Sequence, residues 1–353
     1  MKRTVNKQNV GIDISKDDFK VCFYQRFDNE DQRIKAQTTF KNSLGGFRKF
    51  HQWVERHRIA EVKVRLTVEA TGVYYEELAH YFYQQTDYKI SVVLPNKSSA
   101  YMRSLNLKSK TDKVDAQGLG QLGLERNLTS WEPSSPEILI IKQLCRERVR
   151  LLDQKTAVQN QLHALKCSFE PNADTLERMQ QMVDFIKTTI KSVEKDLKKR
   201  VNADADLKER VDNICIAKGL QMLTVVTVIA ETNGFKLFKN RSQVVSYVGY
   251  DVVENQSGKN NGKTRISKKG NKYIRRALHF PAITAVKHEP QFKQLQERVF
   301  ERTRIPMKGY VAVQRKLLLI IYTLYKKNEA FDPNYQNKQN PKKKSENLET
   351  AVH

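Results

Sequence analysis

The sequence predicts a chain of mixed class, with an α/β domain first and mainly helical segments after it. Short alternating runs of apolar and polar residues, separated by turns, precede Pro95 and are typical of strands. A Pro- and Ser-rich linker begins near Trp131, and beyond it apolar residues recur every three or four positions, as in helices. We therefore expect an α/β domain (1–130), a linker with an antiparallel coiled-coil hairpin (131–206), a mostly α-helical domain (207–328) and a disordered basic tail (329–353).

The charge of the chain restricts its partners. Its 353 residues include 63 Lys and Arg against 39 Asp and Glu, which gives a net charge of +24. Such an excess favours a polyanionic partner, and nucleic acid above all. Mean hydropathy is −0.65, and no run is apolar enough to suggest a membrane partner. The first residues also lack the apolar core of a signal peptide, so we expect a cytoplasmic protein.

Carboxylates interrupt two of the predicted strands. Residues 9–15 alternate as a strand and carry Asp13 on the polar face. Strands at 20–27 and 34–40 follow, which predicts a three-stranded meander. A later strand ends at Glu69, again on a polar face.

A helix that begins after Thr111 supplies two more acids. Thr111 is a plausible N-cap, and Asp112 and Asp115 lie three residues apart, so they share one helix face. Each acid alone has an ordinary explanation, such as a favourable position in the first helical turn. The order of strand acid, meander, strand acid and helix acids is nevertheless the order expected of an RNase H-like nuclease core. Four clustered carboxylates repel unless divalent cations lie between them, so we predict a site for Mg²⁺ or Mn²⁺ at Asp13, Glu69, Asp112 and Asp115.

The helical part begins with a long hairpin. Apolar residues at alternating three and four spacings run from Ile141 to Leu165 and again from Leu176 to Leu197. Pro171 lies in the connecting turn, so two antiparallel helices are expected, with spacing and self-association as their roles. Two shorter helices, 207–216 and 222–231, are joined at Gly219 and form a helix-hairpin-helix-like segment that could direct backbone amides at a phosphate.

A polar, glycine-rich segment contains Ser257. Its composition predicts an irregular loop with an exposed serine hydroxyl. The basic residues around it suit a phosphodiester, and they are Lys259, Lys263, Arg265, Lys268, Lys269, Lys272, Arg275 and Arg276. Two explanations are open, a nucleophilic serine or a serine that merely turns a DNA-binding loop.

Four sequence pieces together resemble the IS110 family of insertion-sequence transposases, over nearly all of residues 8–325. They are Val-Gly-Ile-Asp-Ile-Ser-Lys at Asp13, Val-Glu-Ala-Thr-Gly at Glu69, Lys-Thr-Asp-Lys-Val-Asp-Ala at Asp112 and Asp115, and Gln-Ser-Gly at Ser257 with the later Arg-Ile-Ser-Lys-Lys-Gly-Asn-Lys-Tyr-Ile-Arg-Arg. The chain departs from the family at residues 216–219, where Ile-Ala-Lys-Gly replaces the usual Pro-Gly-Ile-Gly turn.

The resemblance implies a RuvC-like domain with an Asp-Glu-Asp-Asp (DEDD) tetrad at Asp13, Glu69, Asp112 and Asp115, and a C-terminal serine domain. It also implies that Ser257 attacks a DNA phosphate that metal ions polarise, which gives a covalent phosphoserine bond. Donor and target DNA, a structured noncoding guide RNA and a homo-oligomer, dimer or tetramer, are the implied partners. Family members are prokaryotic, so an association with the nucleoid is expected.

Three other functions fit the same residues. A site-specific DNA invertase would use the same bond chemistry, and a pilin-gene invertase shares this architecture. A metal-only nuclease or junction resolvase would hydrolyse DNA with water and use Ser257 only to bind phosphate. A noncatalytic scaffold would bind nucleic acid through its basic surface.

Overall fold

The protein divides into two compact units, one up to Pro133 and one from Ser134. The structure is a computed structural model that describes residues 4–105, 111–236, 238–253, 256–257, 260–261 and 264–333. For residues 256, 257, 260 and 261 it describes the backbone alone.

The first unit is built on one mixed sheet. Its elements are β1 (Val5–Ile14), β2 (Asp18–Phe27), β3 (Gln32–Lys41), α1 (Leu44–His57), β4 (Val64–Glu69), α2 (Glu76–Gln85), β5 (Lys89–Val93), α3 (Pro95–Ser104) and α4 (Asp112–Glu125). The five strands lie in the order β3-β2-β1-β4-β5. Strands β1, β2 and β3 pair antiparallel, whereas β4 pairs parallel with both β1 and β5.

One face of the sheet forms the main core of this unit. Val10, Ile12 and Ile14 alternate along β1 and are buried against apolar residues of α1 and α2, such as Phe50 and Phe82. Because side chains alternate between the two faces of a strand, Asn9, Gly11 and Asp13 of β1 point to the opposite face. The predicted alternation of β1 is thus confirmed, with the apolar residues on the core face and Asp13 on the other face.

Helix α4 covers that opposite face at very short range. A Cβ placed on Gly11 would collide with the main chain of Ala116 and Gly120, so only glycine fits there. The amide of Asn9 donates to the carbonyl oxygen of Gly120 at 2.7 Å. The helix begins at Thr111, whose hydroxyl accepts from the amide of Val114 as an N-cap. The first turn of α4 is thereby fixed near the end of β1.

The second unit is mainly helical. Its elements are α5 (Pro136–Lys166), α6 (Ala173–Ala203), α7 (Ala205–Cys215), α8 (Met222–Glu231), α9 (Arg241–Val248), β6 (Val252–Val253), β7 (Gln256–Ser257), β8 (Asn260–Asn261), β9 (Arg265–Ile266), α10 (Lys272–Ala277), α11 (His279–His288), α12 (Pro290–Thr303) and α13 (Pro306–Lys327).

Helices α5 and α6 form the predicted antiparallel pair. Each has 31 residues. Glu137 at the start of α5 pairs with Arg200 near the end of α6 at 3.0 Å, and Arg148 pairs with Glu194 at 2.6 Å. The base of the hairpin belongs to the main core of the unit, since Cys145 is buried in the same cluster as residues of α7, α8 and α13. The finer division of this unit at residue 206 stays a prediction.

Several elements differ from the sequence prediction. The apolar residues that follow the serine segment form two helices, because α10 ends at Ala277 and α11 begins at His279. Helices α3 and α12 were not predicted at all. The segment predicted as an irregular loop contains two short antiparallel ladders, β6 with β9 and β7 with β8. Most of the predicted disordered tail lies outside the described residues.

No helix in the described part of the chain combines the length and apolar character needed to cross a membrane.

Candidate functional site

The four predicted carboxylates converge at one end of the sheet in the first unit. Asp13 lies one residue before the end of β1, and Glu69 is the last residue of β4. These strands are parallel neighbours, with Ile12 opposite Val68. Carboxyl ends of parallel strands meet at one edge, and the first turn of α4 brings Asp112 and Asp115 to the same place.

Electrostatics confirms that the acids influence one another. The pKa of Asp13 is raised from 3.8 to about 6, first by burial and then by repulsion from Asp115, Asp112 and Glu69, in that order. Lys20 opposes this increase. Asp13 is thus surrounded by negative charge that the neighbouring lysine offsets only in part.

Lys20 is a site residue that was not predicted. It is the cross-strand partner of Asp13 in the β1–β2 pair, and its ammonium group contacts the carboxylate of Asp112. This hydrogen bond is the main reason why the pKa of Asp112 is lowered. The sequence did hold a signal, because a lysine between the apolar residues Phe19 and Val21 sits directly across a hairpin from Asp13.

Glu69 is held by hydroxyl groups. Ser98 at the start of α3 donates to one carboxylate oxygen, and Thr71 donates to the other at 2.9 Å. Ser98 is buried, so this contact ties the carboxylate to α3.

Oxygen-only donors that repel one another suit a hard divalent cation such as Mg²⁺. In their present rotamers Asp112 faces Lys20 and Glu69 faces Ser98. Across the described residues, no three Asp, Glu, His or Cys side chains stand close enough to hold one ion together. The donor chemistry fits a cation, while two of the donors are engaged by protein groups.

The serine segment lies in the second unit. Ser257 belongs to β7, where its backbone pairs with Asn260 of β8. Its side chain is not described, and Lys259 and Lys263 lie outside the described residues. The segment is closed at its base by β6 and β9, with Val253 opposite Arg265.

The remaining basic residues divide into two groups. Arg265, Lys268, Lys269 and Lys272 are exposed. Arg275 is half-buried and donates to the carbonyl oxygen of Val248 at 2.7 Å, whereas Arg276, although also exposed, forms an ion pair with Asp153 of α5 at 2.7 Å. Two of the predicted DNA contacts are therefore already paired with groups of the second unit.

The turn between α7 and α8 packs on another helix. Gly219 has a φ of +93°, and a Cβ there would meet the carbonyl oxygen of Pro281 in α11 at 2.6 Å. One side of this turn is consequently covered by protein, while Lys218 stays exposed.

Glu231 is a second residue that was not predicted. Its side chain is completely buried at the end of α8. Arg146 of α5 contacts both carboxylate oxygens, at 2.6 and 2.9 Å, and the amide of Asn271 donates to one of them at 2.7 Å. The sequence gave no local signal, because these partners lie 85 and 40 residues away.

Comparisons with known proteins identify the family of the chain. A family model described as "Transposase" matches residues 10–166, and one described as "Transposase IS116/IS110/IS902 family" matches residues 212–297. A pilin gene-inverting protein of Moraxella bovis is 28% identical over 330 residues, which cover 93% of this chain and 98% of that protein.

A transposase for insertion sequence element IS1111A from Coxiella burnetii is 21% identical over 91% of this chain and 90% of its own. Among solved structures, an Aquifex aeolicus member of the Ppx/GppA family covers 92% of both chains at 11% identity, and its TM-score of 0.21 is too low to bear on the fold. The two family matches extend over more than half of the sequence, and the chain belongs to the IS110 family of transposases, which are DNA recombinases.

Proposed function

We propose that this transposase cuts and rejoins DNA through a covalent phosphoserine at Ser257, assisted by Asp13, Glu69, Asp112 and Asp115. The observation that carries the proposal is the setting of Asp13. Burial and, after it, repulsion from three other carboxylates raise its pKa to about 6, which an arrangement selected only for stability would avoid.

The chemistry at Ser257 is a transesterification. The serine oxygen forms a bond to phosphorus while the bond between phosphorus and one deoxyribose oxygen breaks. The proton that the serine hydroxyl loses balances the proton that the departing sugar hydroxyl gains. One phosphodiester replaces another, so the energy needed for rejoining is conserved in the protein–DNA bond.

The four carboxylates are the groups that would hold Mg²⁺ or Mn²⁺. When bound, such an ion neutralises the charge that develops on the phosphate. The ammonium group of Lys20 lies against the carboxylate of Asp112. Its positive charge limits repulsion among the four acids when no metal ion is bound. Ser98 fixes the rotamer of Glu69 at the same edge of the sheet.

We also propose that the first unit has an RNase H-like, RuvC-like fold. The strand order β3-β2-β1-β4-β5 supports this, as do the antiparallel meander and the parallel strands β4 and β5. Acids at the ends of β1 and β4 and at the start of α4 occupy the places that a nuclease core of this type uses.

Nucleic acid is the partner that the charge favours. A net charge of +24 and the exposed Arg265, Lys268, Lys269 and Lys272 suit phosphate backbones. We propose that DNA, donor and target, and a structured noncoding guide RNA bind such surfaces. A homo-oligomer, dimer or tetramer, is proposed from the exposed apolar residues Met182 and Phe185 on α6, which are 53% and 71% exposed.

The decisive test is Ser257→Ala in the full chain, supplied with plasmid DNA that carries the flanks of its gene. Wild-type protein should give a protein–DNA adduct that survives denaturation, and the alanine variant should give none. Ser246→Ala, which removes an exposed serine from α9, is the matched control and should keep the adduct. Normal cleavage by Ser257→Ala would leave the carboxylates to act with water, as in a nuclease or junction resolvase, and would end the serine proposal.

Site-specific inversion is the second candidate. The similarity to a pilin gene-inverting protein over 93% of this chain favours it. Sequencing the products from plasmids with two oppositely oriented sites distinguishes inversion, which keeps both flanks, from insertion at a new target.

A further inference from the structure

The segment that carries Ser257 begins and ends at one place in the second unit. Helix α9 ends in Gly249, whose left-handed conformation (φ +82°) redirects the chain. The returning strand is hydrogen-bonded to this turn, because the amide of Ser267 donates to the carbonyl oxygen of Asp251 at 2.8 Å. The amide of Lys268 donates to the carbonyl oxygen of Gly249 at 3.1 Å. The two ends of the segment are thus joined.

Asn271 is the residue at which the segment becomes helix α10. The oxygen of its side chain accepts from the amides of Tyr273 and Ile274, at 2.9 and 3.1 Å, as an N-cap. The nitrogen of the same side chain donates to Glu231 at 2.7 Å. One asparagine therefore both starts α10 and ties it to α8.

Glu231 is anchored in turn by Arg146. A fully buried carboxylate is stabilised only when it is paired and hydrogen-bonded. The guanidinium of Arg146 supplies two charge-assisted hydrogen bonds and also lies 4.7 Å from the centre of the Tyr273 ring. A row of contacts thus connects α5 with α8 and with the first turn of α10.

A second contact reinforces the connection between α5 and α10. Arg276 pairs with Asp153, which lies two helical turns beyond Arg146 on α5. The Arg146 contacts and the Arg276–Asp153 pair both hold α10, and α10 directly follows the serine segment. The position at which the segment ends is therefore determined by α5 and α8.

We propose that Arg146, Glu231 and Asn271 form a positioning network that fixes the serine segment for attack on DNA. The inference rests on the proposed function of Ser257 and assigns no chemical step to Glu231. The network limits the positions that the returning strand can adopt, and a displacement of about 1 Å at a reacting group can slow a reaction by roughly 10²-fold.

Two substitutions weaken the network without removing the helix cap. Asn271→Ser keeps a capping hydroxyl but is too short to reach Glu231. Glu231→Gln keeps the shape of the side chain and removes its charge. Glu194→Gln is the matched control, because Glu194 lies on α6 and pairs with Arg148 of the same α5, so its contact joins α5 to α6 rather than to α10.

Adduct formation and DNA binding are measured on the full chain with the plasmid described above. We expect Asn271→Ser and Glu231→Gln to form the adduct about tenfold or more slowly, with DNA affinity within about twofold of wild type. Glu194→Gln should match wild type in both. If the two network variants form the adduct at the wild-type rate while Ser257→Ala forms none, the positioning role is wrong and the serine proposal stands.

Amide hydrogen exchange in the DNA-free protein gives a readout that does not depend on Ser257. Exchange at residues 264–277 should be faster in both network variants and unchanged in Glu194→Gln. Unchanged exchange in the network variants would refute the inference whatever the chemistry of the serine proves to be.

Discussion

Asp13 in the first unit and Glu231 in the second are both carboxylates near the end of an element inside a packed domain, but their neighbours differ. Three other acids surround Asp13, with Lys20 as a partial counter-charge. Glu231 is completely buried and receives two hydrogen bonds from Arg146 and one from Asn271.

The contrast separates two uses of negative charge. Around Glu231 the protein supplies the positive charge itself, so the carboxylate organises three helices. Around Asp13 the protein gathers negative charge that it balances only in part, and the site is suited to a cation from outside. Buried charge alone does not mark a catalytic residue, whereas the sign of the charge around it is informative.

The largest effect on stability should come from Arg146→Met. Removal of this cation leaves Glu231 buried beside polar groups that cannot neutralise it, so we expect a loss of about 3 kcal/mol in the free energy of unfolding. Denaturant unfolding followed by helical circular dichroism measures the change. Arg148→Met, which breaks the partly exposed pair with Glu194, should cost less than about 1 kcal/mol.

A double variant sharpens this result. Arg146→Met with Glu231→Met removes both charges and should recover at least half of the loss, because an apolar pair can replace a buried ion pair. An Arg146→Met variant as stable as Arg148→Met would show that Glu231 does not depend on its partner.

Asp13→Asn should increase the free energy of unfolding, whereas Arg146→Met should lower it. The ionised form of Asp13 is disfavoured in the folded protein, so its penalty is absent below its ordinary pKa of 3.8 and grows between 3.8 and about 6. Above about 6 the penalty is fully present. In metal-free protein at pH 8 the variant should therefore be more stable by about 1–2 kcal/mol, since water around the half-buried carboxyl screens part of the repulsion.

Tryptophan fluorescence isolates this effect. Both tryptophans, Trp53 and Trp131, lie in the first unit, so their emission follows the unfolding of that unit. The stability difference should shrink as the pH is lowered from 8 to 4.5. A less stable Asp13→Asn variant at pH 8 would mean that the acids do not repel in the folded protein.

The smallest effect is expected for Lys20→Ala. The ammonium group of Lys20 contacts Asp112 and would repel a cation at the acids, so its removal should tighten Mn²⁺ binding about threefold. Titration of DNA-free protein with Mn²⁺, followed by electron paramagnetic resonance, measures the affinity. Lys35→Ala on β3, an exposed strand lysine, should leave the affinity unchanged; weaker binding by Lys20→Ala would contradict the proposed competition.

Sequence patterns predicted the first unit well because its signals are local. The alternation of β1 and the Thr111 cap of α4 each depend on residues within a few positions, and both are present. Helix α3 was missed because a proline can follow a strand or begin a helix, and Pro95, which follows β5, occupies the first turn of α3. Helix α12 likewise begins with Pro290 and buries Phe292, a pattern that could have been recognised.

The parts of the site that were missed depend on distant partners. Glu231 ends an apolar helix, and nothing nearby in the sequence indicates that Arg146 and Asn271 reach it. The four acids were predicted together because acids are rare in strands, as at Asp13 and Glu69, and because the order of all four along the chain is distinctive. Their rotamers, which turn Asp112 to Lys20 and Glu69 to Ser98, could not be read from order alone.

The contact between Gly11 and α4 has a consequence for engineering. Since backbone meets backbone there, α4 cannot come closer to β1, and the main chain limits how near the helix acids can come to Asp13. A designer who wished to fit the proposed cation site to a larger ion, such as Ca²⁺, would therefore change the length of the side chains at 112 or 115. Substitutions on β1 under the helix, such as at Gly11, would displace α4 and would not produce a controlled change in the distance between the acids.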